Sequence, residues 1–401
     1  MGLFPSPALT GFTPGDGLVR FEVPDLPALL PERGVANLLR MAQTKQRRAR
    51  RLAVLVLACL GWLIVSILGS VVLARAVAWD EWQWFADLDA TVEVLFLPAW
   101  LVVLGAVLGK RWWLAGAGVL MCAAQVIYVA PEIAASTPVP SAVRSEPTIR
   151  LFDANVQDNN YSMAGYVSQI RNYRPDLLTM EETMPWDWTQ LDASGVLDPL
   201  PYRFTVPCCG SRGFIVASRY PLEHASVSEV DGLAYLIRFS LALPVRTVNL
   251  WVVHTTAPVN PDWNDWNLEL DGVDTQLQKD HPRPLLMVGD FNATWGNRGF
   301  RAILATGLTD AAAARGQPFA FTWSQLFSPL PPLVRIDHVL TAGDVTVTSI
   351  STHPGPGSEH RDITATIAIG GVHHELAFRR IPAQVHPRPR ASRRSGLAAV
   401  G

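Results

Sequence analysis

Six apolar runs after residue 147 each carry a chemistry-bearing side chain at one end. Asn155 ends TIRLFDANV, and Glu181 and Glu182 follow DLLTM. His254 ends TVNLWVVH, and Asp290 and Asn292 close PLLMVGDF. Asp337 and His338 sit in RIDHVL, and Glu359 and His360 stand just before ITATIAI. A carboxylate at the mouth of a buried strand is costly unless it meets a cation or hydrogen bonds. Its repetition implies one convergent polar site.

Glu and Asn oxygens suit a hard cation, Mg2+ or Mn2+, better than zinc. Asp290 is placed to accept the proton of an attacking water, and Asn292 to orient it or donate to a phosphate oxygen. Histidines 254 and 360 can hold or lend a proton near neutral pH, which suits a phosphodiester leaving group. Together these residues describe metal-assisted hydrolysis of a phosphate ester. His338 adjoins Asp337 but points to the other face of an ideal strand. Arg212 and Arg335 are candidates to bind the substrate phosphate.

The elements that must position these side chains alternate between strand and helix. Strand patterns fall at 148–156, 176–180, 213–219, 234–242, 247–254, 284–291, 335–341, 345–351, 363–369 and 372–378. Helical spacing links Met163, Tyr166, Val167 and Ile170, and again Trp263, Trp266, Leu270, Val273 and Leu277. This mixture predicts an α/β (α+β) sandwich, sheet packed on sheet. No Gly-rich phosphate loop follows the first strand, which weakens a dinucleotide-binding reading.

The ordered set Asn155, DLLTMEE, HTTAP, GDFNA, RIDHVL and SEH resembles the endonuclease/exonuclease/phosphatase superfamily across about residues 148–370. The resemblance implies two packed mixed β-sheets flanked by helices. It also implies a divalent-metal-dependent phosphoric ester hydrolase. Carried over by position, Asn155 and Glu182 are metal residues, with Glu181 where the family usually has Gln. His254 and His360 are the catalytic histidines, Asp290 and Asn292 the water-activating and phosphate-orienting pair, and Asp337 the late acidic residue. Glu359 replaces the Asp of the family's Ser-Asp-His ending and is taken as a further metal residue. Being one methylene longer, its carboxylate must retract to keep the same contact, so altered metal affinity or lost catalysis is foreseen.

Composition adds a membrane. The 401 residues are 49% hydrophobic and only 17% charged, with a formal net charge of −2. Soluble domains carry about 25% charged residues. The apolar content excludes disorder over most of the chain, and near-neutral charge argues against a basic nucleic-acid coat protein. The four cysteines show no zinc spacing, and the adjacent Cys208 and Cys209 are read as free or mispaired thiols without a catalytic role. Uncharged runs at 52–74, 94–109 and 112–130 predict transmembrane helices at about 52–74, 91–109 (extended past Glu93 at the interface) and 112–130. Residues 1–51, rich in Pro and Gly up to Pro31, read as a cytoplasmic tail, 131–147 as a linker, 148–378 as the catalytic domain, and 379–401 as a basic disordered tail.

Lys45, Arg47, Arg48, Arg50 and Arg51 precede the first run, and Lys110 and Arg111 separate the second from the third. The positive-inside rule then puts the N-terminus in the cytoplasm and the catalytic domain outside, on a multi-pass cell-membrane protein. Trp79, Trp82, Trp84 and Phe85 fall in the outer aromatic belt. The expected partners are a phosphodiester substrate and the bilayer, with no protein partner. A nuclease or general phosphodiesterase ranks first. A phospholipid-directed phosphodiesterase or phosphatase ranks second, and a catalytically silent, membrane-tethered binding module is the alternative of another class.

Overall fold

The computed structural model describes residues 32–206, 212–259, 263–324 and 331–370. The expected strand at 372–378, the basic tail, Cys208, Cys209 and residues 1–31 lie outside them. The chain divides into two compact units, one ending at Leu60 and one starting at Gly61. Helix α1 (Glu32–Ala78) begins in the first. Residues 32–51, expected as the end of the cytoplasmic tail, are therefore helical. This stretch is built largely of Ala, Arg, Leu, Gln and Met, all strong helix formers.

In the second unit α2 (Gln83–Ala90), α3 (Val92–Leu95), α4 (Leu97–Leu108) and α5 (Trp112–Ala134) follow. Arg40–Ala78 and Trp112–Ala134 are long and apolar enough to cross a membrane. The expected middle span is broken: α2 and the segment Val92–Leu108 meet at 71°, so a third span exists only if the bent pair counts as one. The break falls at Thr91, whose φ of −107° and ψ of 14° lie outside the helical range between α2 and α3. Helix α5 extends past residue 130 through Pro131 and Glu132, so the linker is shorter than expected. Many of these helices' large side chains are exposed, among them Leu101, Leu108, Trp113 and Ile127. Such apolar surface needs a non-aqueous cover.

The remainder is a sandwich of two six-stranded sheets. The first contains β1 (Thr148–Asn155), β2 (Leu177–Glu181), β3 (Tyr202–Val206), β4 (Phe214–Ser218), β11 (Val345–Pro354) and β12 (Arg361–Ile369), in the order β11-β12-β1-β2-β4-β3. The second contains β5 (Leu222–Val230), β6 (Leu233–Ala242), β7 (Thr247–His254), β8 (Leu285–Asp290), β9 (Thr309–Asp310) and β10 (Asp337–Ala342), in the order β5-β6-β7-β8-β10-β9. Between the sheets Leu151, Leu177, Phe214, Val216, Leu250, Val252, Leu286 and Val288 form a buried core.

Each sheet holds one parallel pair, β1 with β2 and β7 with β8, at its centre. A parallel pair needs a crossover, usually a helix. Helices α6 (Ala164–Tyr173) and α7 (Trp263–Asp280) supply it, burying Tyr166 and Ile170 on one side and Trp266, Leu270, Val273 and Leu277 on the other. The consequence for the site is direct. Parallel strands end on the same edge, so Asn155 lies level with Glu181, and His254 with Asp290.

Candidate active site

Four strand exits and two strand entries meet at that edge. β10 runs antiparallel to β8 and starts there, with Asp337 opposite Asp290. β12 starts just after His360. The backbone is bent sharply where it leaves the strands: Glu182, Gln157 and Asn292 have φ of 55°, 63° and 46°. Left-handed backbone at residues other than glycine costs on the order of 1–3 kcal/mol and persists only where its surroundings impose it. Gly289 is required for a different reason. A Cβ there would stand 2.1 Å from the Val253 carbonyl oxygen, so only glycine lets β8 approach β7.

Asp290 is the centre of the arrangement and is wholly buried. Its Oδ2 accepts from Asn155 Nδ2 at 3.0 Å, and its Oδ1 accepts from the Asn292 backbone N–H at 2.7 Å. His254 Nε2 and His360 Nε2 lie 3.9 and 3.8 Å from Oδ2. Asn155 Nδ2 also donates to Glu182 Oε1 at 2.9 Å, tying the two carboxylates together, and His254 Nε2 is 3.6 Å from the same Glu182 oxygen. The Asn155 side-chain oxygen accepts from the Gln157 N–H at 3.0 Å. Asn292 Nδ2 donates to the Thr255 carbonyl at 2.8 Å, which joins the loops leaving β7 and β8. His360 Nδ1 meets both Asp337 oxygens, at 3.1 and 3.0 Å. Ser358 donates to the Asn155 carbonyl and accepts from the His360 N–H, pinning the entry of β12 to the end of β1.

These contacts set the protonation states. Burial and the neighbouring Asp337 raise the Asp290 carboxyl to about 7 against the pull of both histidines. Burial opposes ionisation of Glu182 too, but His254 and Asn155 outweigh it and bring that carboxyl to about 2. Burial works against a charged His360, yet Asp337 and Asp290 overcome it and push the imidazole up to about 10. Beneath the site lie Asp153, Glu181 and Asp362, all buried. Burial first, then neighbouring carboxylates, raises Asp153 and Asp362 to about 8 and Glu181 well above its ordinary range.

Two trios bring ligand atoms within 4.8 Å of one another: Glu182, His254 and Asp290, and Asp290, Asp337 and His360. A cluster with this surplus of buried carboxylate oxygen fits a hard divalent cation. Glu359 belongs to neither trio. It is half-buried, and its backbone N–H donates to Gln157 Oε1 at 3.2 Å. The structure therefore does not bring its carboxylate into the cluster where the sequence expectation put it.

Arg212 and Arg335 also depart from expectation. Arg212 is buried against Glu269, with Nη2 3.0 Å from Oε1, and donates to Thr256 and to the His254 carbonyl. Arg335 is buried between Asp310, at 2.7 Å, and Glu132 at the end of α5. Both arginines shape loops instead of reaching for phosphate, because each meets an acid far away in the sequence. His338 does point away from Asp337, as strand alternation requires. Its Nδ1 is 3.0 Å from Asp310 and its Nε2 2.9 Å from the Ala293 carbonyl. The sequence reading overlooked Asp153 and Glu269. Asp153 stands two residues before Asn155 and so shares its face of β1, which was the available signal.

The family model described as the endonuclease/exonuclease/phosphatase family matches residues 148–360, just over half of the chain. No curated protein is matched. Among solved structures, D. rerio TDP2 complexed with single strand DNA product is 15% identical with a TM-score of 0.47, covering 55% of this chain and 99% of that one. An AP endonuclease from Archaeoglobus fulgidus is 17% identical with a TM-score of 0.45, covering 54% of this chain and 98% of that one. A 3' phosphatase, NExo, from Neisseria bound to product DNA hairpin is 15% identical with a TM-score of 0.43, covering 54% and 98%. With the family match spanning the strands that carry every residue of the cluster, the chain belongs to the endonuclease/exonuclease/phosphatase family of hydrolytic phosphoesterases and nucleases.

Proposed function

We propose that the protein is a membrane-anchored, divalent-metal-dependent hydrolase of phosphate esters that acts outside the cytoplasm. The observation carrying this reading is the position of Asp290 Oδ2, within 4 Å of Asn155 Nδ2, His254 Nε2 and His360 Nε2. A base, a metal-binding edge and two proton donors thus share one small space.

Glu182 and Asn155, with Asp290 beside them, would hold Mg2+ or Mn2+, which supplies Lewis acidity toward a phosphate oxygen. Asn155 would first have to turn its oxygen, now bonded to the Gln157 N–H, toward the carboxylates. Asp290 takes a proton from water as the general base. The water oxygen then bonds to phosphorus as the ester P–O bond breaks. His360, kept charged by Asp337, and Asn292 donate to the phosphate oxygens as negative charge grows on them. His254 supplies the proton the leaving oxygen needs. Lys and Arg at 45–51 and 110–111 support a cytoplasmic N-terminus and an external catalytic domain.

The test is hydrolysis of a chromogenic phosphodiester by the purified full chain with Mg2+ or Mn2+, against EDTA. Metal-dependent release supports the reading. Its absence, with no Mg2+ binding by calorimetry, would favour a silent binding module.

A further inference from the structure

We propose that the phosphate ester hydrolysed at this site is carried by a lipid of the surrounding bilayer. The inference rests on the hydrolase reading above and on the apolar helices being membrane spans. It comes from where the mouth of the site lies. β7 and β8 deliver His254 and Asp290, and the loops leaving both strands meet the helix ends.

After β8, the Gly296 carbonyl accepts from Trp79 Nε1 at 2.9 Å and from Arg75 Nη1 at 2.6 Å. Arg75 also pairs with buried Asp89 at 2.9 Å. Asn297 Nδ2 donates to the Ala86 carbonyl at 3.0 Å, and Asp80 accepts from the Arg298 N–H. The approach is so close that a Cβ on Gly296 would stand 1.7 Å from the Asp89 carbonyl oxygen. After β7, the Pro258 carbonyl accepts from Gln83 Nε2 at 3.1 Å. Helix α2 therefore touches both loops that frame the catalytic edge, and the strands open toward the helix ends, not toward the far pole of the sandwich.

At those same helix ends Trp82 and Trp84 are 57% and 80% exposed, and Val259, next to Pro258, is 55% exposed. Indole at the point where an apolar helix gives way to polar loop favours the headgroup layer. A lipid phosphate lies at that depth and reaches the mouth by diffusing in the plane. A nucleic acid, by contrast, would have to enter beside the bilayer and would want unpaired cations along its path. The two arginines that the sequence offered for phosphate binding, Arg212 and Arg335, are committed to buried acids.

The full chain, reconstituted in phosphatidylcholine vesicles with Mg2+, tests this. The vesicles are doped with phosphatidylglycerol, phosphatidic acid or a long-chain alkyl diphosphate. Water-soluble short-chain versions of the same esters and a single-stranded oligonucleotide run in parallel. At least one embedded ester should turn over about tenfold faster than its short-chain counterpart, a preference of about 1.4 kcal/mol. The double variant Trp82→Ser, Trp84→Ser should lose most of that preference while hydrolysing a chromogenic phosphodiester in detergent as before. Equal rates on soluble and embedded esters, faster cleavage of the oligonucleotide, or an unchanged vesicle rate in the double variant would overturn the lipid assignment and leave the hydrolase reading standing. No metal-dependent turnover of any substrate, the chromogenic one included, would overturn both.

Discussion

Asp337 reaches His360 Nδ1 through both carboxylate oxygens, and the opposite ring nitrogen of His360 points at Asp290. One histidine thus stands between two buried acids. The link exists because β10 begins opposite the end of β8, while Ser358 holds the start of β12 against the end of β1.

Replacing Asp337 with Asn should release His360 from its raised pKa and slow turnover about 10²–10³-fold, since a positioned proton donor is worth about 10²–10⁴. NMR titration of the imidazole checks the cause. The same pairing contributes stability that is complete below the ordinary 6.5 and is lost as pH rises through about 10. Wild type should therefore lose its thermal advantage over Asp337→Asn across that window. An imidazole that titrates alike in both proteins would contradict the assignment.

Asn292 combines a left-handed backbone with two side-chain hydrogen bonds, to the Thr255 carbonyl and to Asp290. Asn292→Gly keeps the backbone free to adopt φ 46° and should fold nearly as well as wild type, yet turn over at least tenfold more slowly. Asn292→Ala loses the same bonds and adds backbone strain of about 1 kcal/mol. A melting temperature for Ala at or above that for Gly would refute the conformational argument.

Glu181 is fully buried, and burial first, then Asp153, Asp337 and Asp290, push its carboxyl well above its ordinary range. Glu181→Gln should therefore retain activity. Because Glu181 and Asp153 are raised, the stability tied to their protonated forms is complete below pH 4 and falls as pH climbs, for Asp153 through about 8. Wild type should lose more stability than Glu181→Gln between pH 5 and 9. Melting curves at both ends of that range decide it: parallel declines would mean the carboxyl is not held neutral.

Arg335 stands buried between Asp310 and Glu132. Removing one partner of a buried ion pair costs about 3–5 kcal/mol, because the remaining charge is left uncompensated. Arg335→Ala should destabilise by about that amount in denaturant titrations. Arg335→Lys should be milder and leave the KM for a chromogenic ester within about twofold of wild type. A tenfold rise in KM for the Lys variant would restore the arginine to phosphate binding.

The catalytic edge was readable in the sequence because each of its residues lies at or within two residues of the end of a buried strand, where an apolar run stops abruptly at a polar side chain. Strands β3 and β5 were not. Both lie at sheet edges, with Tyr202, Glu223 and Glu229 half- or fully exposed, so no apolar run announces them. The roles of Arg212 and Arg335 depend on Glu269, Asp310 and Glu132, partners that only the fold brings near. The break between α2 and α3 was hidden for a related reason: hydropathy records how apolar a segment is, not where its axis turns.

The most direct test of the account is metal-dependent hydrolysis of a chromogenic phosphodiester by the full chain, wild type against Asp290→Asn and His254→Ala. The account predicts Mg2+- or Mn2+-dependent release that EDTA abolishes and that each substitution lowers by about 10²–10⁴-fold, with unchanged circular dichroism. Near-wild-type rates in either folded variant would contradict it.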